Sequence, residues 1–465
     1  MNWPRPTSRD LPAPPPWYRA VGVGLVVMGM AMGTGELILW PHLVSKHGLG
    51  LLWLALVGLT FQYFINQEVA RHALATGESF FTSAARVLWW SPPLWILAAL
   101  LLYIWPGWAS ALGTILAKLF GFGNYLVWAW FSLLLVLLLT LRGRVAYLVL
   151  ERALKLVVPL FLFLLLLVSA HNLTAADLRA LGAGLTNFGF FPAAVDWSVL
   201  LGAIVFAGAG GLLNLCVSLW YRDKQAGMGA YVGRITNPIT GQPEAVAPAS
   251  FSFPLTNANL TAWRGWLRYI RFDQGIIFWL TGLISLSLLS VNAFVVLAPR
   301  GLVPEGVNVA VTQALIFSTD WGWLGEKIYL TMAYLMLFAV MWTVLDALAR
   351  IITDVIHTNA NRGPLRRYGR WLAEISVHHW YYGLIVGLIF LQSLLLPFGQ
   401  PLFFLVISSA LGGLTMALYL PLLIYLNNFR LAPPLRPGWL TNVFLLLATI
   451  FYWLFVVIIV RNLFV

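Results

Sequence analysis

The chain has 465 residues, of which 60% are hydrophobic and only 9% charged, where a soluble globular domain carries about a quarter charged residues. That balance, with a mean hydropathy of +0.84, excludes a soluble enzyme and requires lipid to solvate much of the surface, so the chain reads as an all-α, polytopic membrane protein. The formal net charge of +12 does not point to a nucleic-acid partner, because the Lys and Arg residues flank apolar stretches and line no soluble basic face. A single cysteine, Cys216, excludes an internal disulfide and any multi-cysteine zinc or redox motif.

In chain order, residues 1–18 form a Pro-rich tail (Pro4, Pro6, Pro12, Pro14, Pro15, Pro16) expected to be extended and weakly ordered. The apolar stretch from 19 to 45 is too long for a signal peptide and is a retained span. Further spans follow near 50–70, 94–120, 124–141, 148–170, 197–220, 274–298, 324–356, 377–397, 400–427 and 438–460, which makes eleven. With the amino terminus in the cytoplasm, the outer side receives only Lys46, Lys118, Arg179, Arg300, Lys327 and Arg461 of the 28 Lys and Arg residues. The positive-inside rule therefore supports both the odd span count and that orientation. The connection 221–273 falls in the cytoplasm, with a short interfacial helix expected around Trp263 to Arg271. Its Gly227, Gly229 and Gly233 lack the dinucleotide-binding spacing and read as loop.

Two spans are interrupted in matching places. Span 1 carries Gly29, Gly33, Thr34, Gly35 and Glu36 in mid-membrane, and span 6 carries Gly208, Ala209, Gly210 and Gly211 with Asn214 close behind. A Gly-rich break in the first helix of each five-helix half is the mark of a transporter built from inverted repeats, because unwound backbone frees carbonyls and half-helix ends to bind solute at the midplane. Residues 19–170 and 197–427 are then the two repeats, and 438–460 is an extra helix 11. Both breaks are expected to be unwound, with Gly33, Thr34, Gly35, Glu36, Ala209, Gly210, Gly211 and Asn214 as substrate-binding residues. Glu36 is also the candidate for proton coupling, since a carboxyl group at that depth normally faces a cavity or an ion path. Glu68 with Arg71, and Glu151 with Lys155, read as interfacial ion pairs. On span 8, Asp346, Arg350 and Asp354 line one face at i, i+4 and i+8 and read as a cytoplasmic gate in which Arg350 pairs with either carboxylate. The histidines form no metal-ligand spacing, and no nucleophile elbow or zinc signature calls for an enzyme or a cofactor.

These residues resemble the Nramp family of proton-coupled divalent metal transporters. Gly33-Thr34-Gly35-Glu36 stands where that family has Asp-Pro-Gly-Asn. Gln62 followed by Ala75-Thr76-Gly77 is similar to its second helix, and Arg142, Arg144 and Glu151 to its helix 4 to 5 junction. Asn292 resembles its helix 7 asparagine, and Leu420-Pro421-Leu422 its helix 10. The resemblance implies the leucine-transporter fold, a 5+5 inverted repeat with eleven helices, in a plasma membrane and, by the character of the chain, a prokaryotic inner membrane. It also implies proton-coupled movement of a divalent cation by alternating access. The departures fall on the site itself. The family's Met-Pro-His becomes Gly211-Leu212-Leu213, its binding Asp becomes Gly33, its Asn becomes Glu36, and Gly107 and Ser110 replace an acidic pair on helix 3. Loss of the thioether argues against ordinary manganese or iron transport. Three readings stay open: a divalent cation held by oxygen ligands, its metal ligands not assignable from the sequence; a proton-coupled small organic solute; and, third, a receptor or channel.

Overall fold

The computed structural model describes residues 3–142, 146–235 and 250–464; Arg144 lies outside them, and so does the side chain of Arg142. Nine helical stretches among the described residues are long and apolar enough to cross a membrane. A tenth, Tyr125–Leu141, is shorter, and the eleventh, span 6, is assembled from two halves, Trp197–Val205 and Leu213–Asp223. The expected eleven spans are therefore all present.

Burial sorts these helices by position. Span 1, Val23–His47, has its apolar stretch buried throughout, whereas span 11, Trp439–Phe464, turns Leu446, Ile450, Leu454 and Val457 outward, as lipid-facing residues must be. Span 1 lies between the two halves of span 6 and spans 5, 7 and 8. Span 2, Leu49–Thr76, ends at Gly77, whose φ of +70° places it in the left-handed cap conformation.

Several elements differ from the sequence-based expectation. Span 3 is split into Pro92–Tyr103 and Gly107–Phe120 around Pro106, which cannot donate a helix hydrogen bond. The interfacial helix is longer than expected, Asn257–Phe272, and runs without interruption into span 7 through a π-helical stretch, Asp273–Leu280, and Thr281–Val296. Short helices at Phe80–Val87 and Ala175–Thr186 cap the two ends of the bundle, each begun by a side-chain cap, Ser79 and Thr174.

The Pro-rich tail is extended as expected but not loosely held. Thr7 and Ser8 pair in parallel with Phe251 and Ser252, Leu11 is buried and donates its N–H to Asn259 Oδ1 at 3.1 Å, and the Trp266 indole donates to the Pro12 carbonyl at 2.8 Å. Proline-rich backbone is already in the extended conformation that a strand needs, so pairing costs it little entropy.

Candidate functional site

The break in span 6 is real. Between Val205 and Leu213 the helix ladder lapses, and Gly210 and Gly211 take φ of +70° and +56°, a region that residues with a Cβ rarely adopt. The freed groups are taken up by spans 2 and 3. Gln62 Oε1 accepts from the Gly210 N–H at 3.0 Å, and its Nε2 donates to the carbonyls of Val205 and Ile204 at 2.9 and 3.2 Å. Tyr103 donates to the Gly210 carbonyl at 3.2 Å and accepts from the Leu213 N–H at 3.3 Å. Asn214 donates to Asn66 Oδ1 at 2.8 Å and to Gln62 Oε1 at 3.2 Å. Gln62 and Asn66 stand one turn apart on span 2, so one helix face satisfies most of the broken segment.

Span 1 is not unwound, contrary to the expectation. It stays helical from Val23 to His47, widening to π-helix over Met32–Leu39. Its glycines serve close approach instead. A Cβ on Gly35 would lie 2.0 Å from the Phe206 carbonyl oxygen in the span 6 break, and one on Gly33 would lie 2.2 Å from Val340 on span 8. The continuous helix thus carries the broken one against its small-residue face. The π-helical stretch leaves the Leu37 carbonyl to accept from Gln313, a buried residue of the outer loop between spans 7 and 8. That loop is tied a second time to span 1, through His42 Nδ1 and the Pro304 carbonyl at 2.8 Å.

The candidate binding residues are all buried, but they divide into two groups. Thr34 accepts from the Trp108 indole at 2.8 Å, and with Gly35, Ala209, Gly210 and Gly211 it meets the break, walled by Tyr103, Trp108 and Phe206. Asn214 faces span 2. Glu36 is 0% exposed, neither of its oxygens meets hydrogen-bond geometry with a partner, and its carboxyl group faces Ser285 of span 7. A buried carboxyl group left in this way is costly. No hydrogen bond joins Glu36 to Asn214 among the described residues. No cluster of three or more His, Cys, Asp or Glu that could hold a metal is found among the described residues.

At the cytoplasmic end, as oriented by the charge pattern, Asp346, Arg350 and Asp354 are all buried. The expected Arg350–Asp346 pair is present, and span 6 adds partners that the spacing does not show. Arg350 bonds Asp346 at 2.6 Å and Asp223 of span 6, while Asp354 is held by Arg222 of span 6 at 2.6 Å and by Ser79. Tyr381 and Trp220 complete the shell of Asp346. The sequence reading ended span 6 at 220 and so missed Arg222 and Asp223; adjacent opposite charges closing an apolar helix were the available signal. Glu68 and Arg71, read as interfacial, are buried at 2.9 Å from each other, because the Asn427 amide at the end of span 10 and the Leu435 carbonyl in the loop that follows cover them. Glu151 does pair with Lys155, at 2.6 Å, and also faces Lys224.

No family model and no curated protein matches the sequence. Solved structures do. A mutant of the Eremococcus coleocola manganese transporter superposes with a TM-score of 0.68 over 97% of this chain and 89% of that one, at 13% identity. The fold is that of the leucine-transporter class. Mhp1, a nucleobase-cation-symport-1 family transporter in a closed conformation with bromovinylhydantoin bound, gives 0.55 over 97% and 95% at 15% identity, and MhsT in complex with L-phenylalanine gives 0.52 over 96% and 99%, also at 15%. Identities this low establish architecture: a multi-pass, all-α membrane protein whose neighbours are transporters. In that architecture span 1 and span 6 are equivalent helices of the two repeats, which is where both Gly-rich segments fall.

Gly211 and Gly33 are closely packed: a side chain at Gly211 would start 2.8 Å from the Tyr103 hydroxyl and 3.0 Å from Gly412 Cα, at a positive φ, and one at Gly33 would meet Val340.

Proposed function

We propose that this chain is a secondary active transporter that works by alternating access, is coupled to protons, and moves a divalent cation through a site rebuilt around Glu36. The observation that carries the reading is Glu36 itself: fully buried, unpartnered and set in a π-helical segment beside the span 6 break. An acidic side chain kept there without a structural partner is neutralised by either a proton or a cation. The Ser285 hydroxyl beside it and the carboxyl group itself are oxygen ligands, which suit a hard cation over a thiophilic one.

The paired charges between spans 6 and 8 serve as the inner gate. Asp223 and Arg222 sit on the lower half of span 6, and their partners Arg350 and Asp354 sit on span 8, so opening inward exchanges these pairs for water. On the outer side the Gln313 and His42 contacts close the loop over span 1. A second reading is favoured by the walls of the break: Tyr103, Trp108 and Phe206 line it with aromatic surface, which suits a small organic solute with Glu36 retained as the proton carrier.

Isothermal titration of the purified protein against magnesium, calcium, manganese and cadmium, and against a panel of amino acids, separates the two. Millimolar binding of magnesium or calcium supports the cation reading, and a selective amino-acid signal supports the second. High-affinity manganese or cadmium binding by the unmodified chain would contradict the rebuilt site.

A further inference from the structure

The cytoplasmic end of span 2 holds a polar chain that the transport reading does not use. Its members lie on three elements: Glu68 and His72 on span 2, Glu78, Ser83 and Arg86 on the loop and short helix that follow, and Asn427 at the end of span 10. His72, Glu78, Ser83 and Asn427 are each buried. Asn427 Nδ2 donates to the Glu68 carbonyl at 2.9 Å and to Glu68 Oε2 at 2.7 Å, which fixes the amide so that its Oδ1 faces His72 Nδ1 at 3.0 Å. Turning the amide round would set its oxygen against two acceptors. The His72 Nδ1 therefore carries a hydrogen and donates it.

On the other side of the ring, His72 Nε2 lies 2.7 Å from Ser83 Oγ, and Ser83 Oγ lies 2.6 Å from Glu78 Oε2. Two hydrogen bonds in series need two hydrogens, and the serine hydroxyl supplies one. The second must sit on His72 Nε2 or on Glu78 Oε2. We propose that His72, Ser83 and Glu78 form a proton-binding site that faces the cytoplasm, one proton being held between imidazole and carboxylate through the serine. With the proton on nitrogen the pair is imidazolium and carboxylate; with it on oxygen both are neutral. The pair has zero net charge in either arrangement, which makes its burial tolerable.

The surroundings favour the first arrangement. Arg86 Nε bonds the other carboxylate oxygen of Glu78 at 2.6 Å, and Arg362 and Arg86 both lie over the Trp3 ring, 4.2 and 4.4 Å from its centroid. From span 2, Glu68 faces His72 through Asn427 and is itself paired with Arg71. Arg430 completes the charged groups around a cavity of about 170 Å³ that His72, Glu78, Ser83 and Arg86 also line. That cavity is large enough to admit water, so a proton has a path to the pair. The next residue after Glu78 is Ser79, which holds Asp354 of the inner gate, so the proton site and the gate share one loop. The site stands whether or not transport itself is proton-coupled.

Nitrogen-15 NMR of the full chain in lipid nanodiscs, labelled at histidine, tests this, with the His72 signals assigned by their loss in His72→Gln. The expected wild-type result at neutral pH is protonation of both ring nitrogens of His72, or, if it is neutral, a protonated Glu78 carboxyl band in the infrared that disappears in Glu78→Gln. In Glu78→Gln the new amide donates to Ser83, the serine turns its hydroxyl to Nε2, and the Nε2–H signal is lost. Ser83→Ala, which leaves both ionisable groups in place, should likewise lose that signal and guards against misfolding of the first variant. A neutral His72 beside an ionised Glu78 in the wild type, or an Nε2–H signal unchanged in Glu78→Gln, would overturn the proposal.

Discussion

Span 1 and span 6 are equivalent helices of the two repeats and are both rich in glycine, yet they use it oppositely. In span 6 the glycines adopt positive φ and the helix opens, its freed groups satisfied by Gln62 and Tyr103. In span 1 the helix holds and the missing side chains let another backbone approach within contact distance. The pair shows that a glycine-rich segment in a membrane helix announces either backbone freedom or close packing, and that the partner decides which: span 6 has a polar span 2 face to receive its freed groups, whereas span 1 has the broken backbone itself as neighbour.

The lower end of span 6 is the place where the contrast breaks most easily. Asp223→Asn leaves Arg350 with a single carboxylate in a fully buried setting, and removing one member of such a pair costs about 3–5 kcal/mol. A large drop in thermal unfolding temperature, read by tryptophan fluorescence in detergent, is the expected outcome; an unchanged temperature would mean that the span 6 to span 8 link is ornamental. Span 1 offers a finer contrast. Gly35→Ala drives a methyl group onto the Phe206 backbone, while Gly29→Ala meets only the flexible end of Leu154, so the first should cost about 1–3 kcal/mol as overpacking does and the second markedly less. Equal effects on unfolding temperature would show that span 1 does not pack on the break as described. The smallest effect belongs to Trp108→Phe, which removes the donor to Thr34 while keeping the aromatic wall and should cost about 1 kcal/mol.

Much of this architecture is visible in the residues. Span lengths and charge asymmetry place the eleven helices, and the i, i+4, i+8 spacing of Asp346, Arg350 and Asp354 puts them on one buried face. Their true partners are not visible, because Arg222 and Asp223 reach them from another helix across a stretch of chain whose folding no local pattern encodes. The same holds for Gln62 and Asn66, polar residues on an apolar helix whose role depends on where span 6 breaks. The tail illustrates a different gap: proline content announces extended backbone but does not say that Thr7 and Ser8 have a strand to pair with.

The central claim is that Glu36 is kept for a transported or coupling ion and not for the fold. Proteoliposome uptake driven by an imposed pH gradient, with calcium or magnesium as the probe ion and a trapped pH dye as the second readout, measures it directly in wild type and Glu36→Gln. Because neither carboxyl oxygen has a partner to lose, the variant should unfold at the wild-type temperature or slightly above it, while pH-driven uptake falls to the level of empty liposomes. Wild-type uptake by Glu36→Gln, or a collapse of its stability with no folded protein left to assay, would contradict the account.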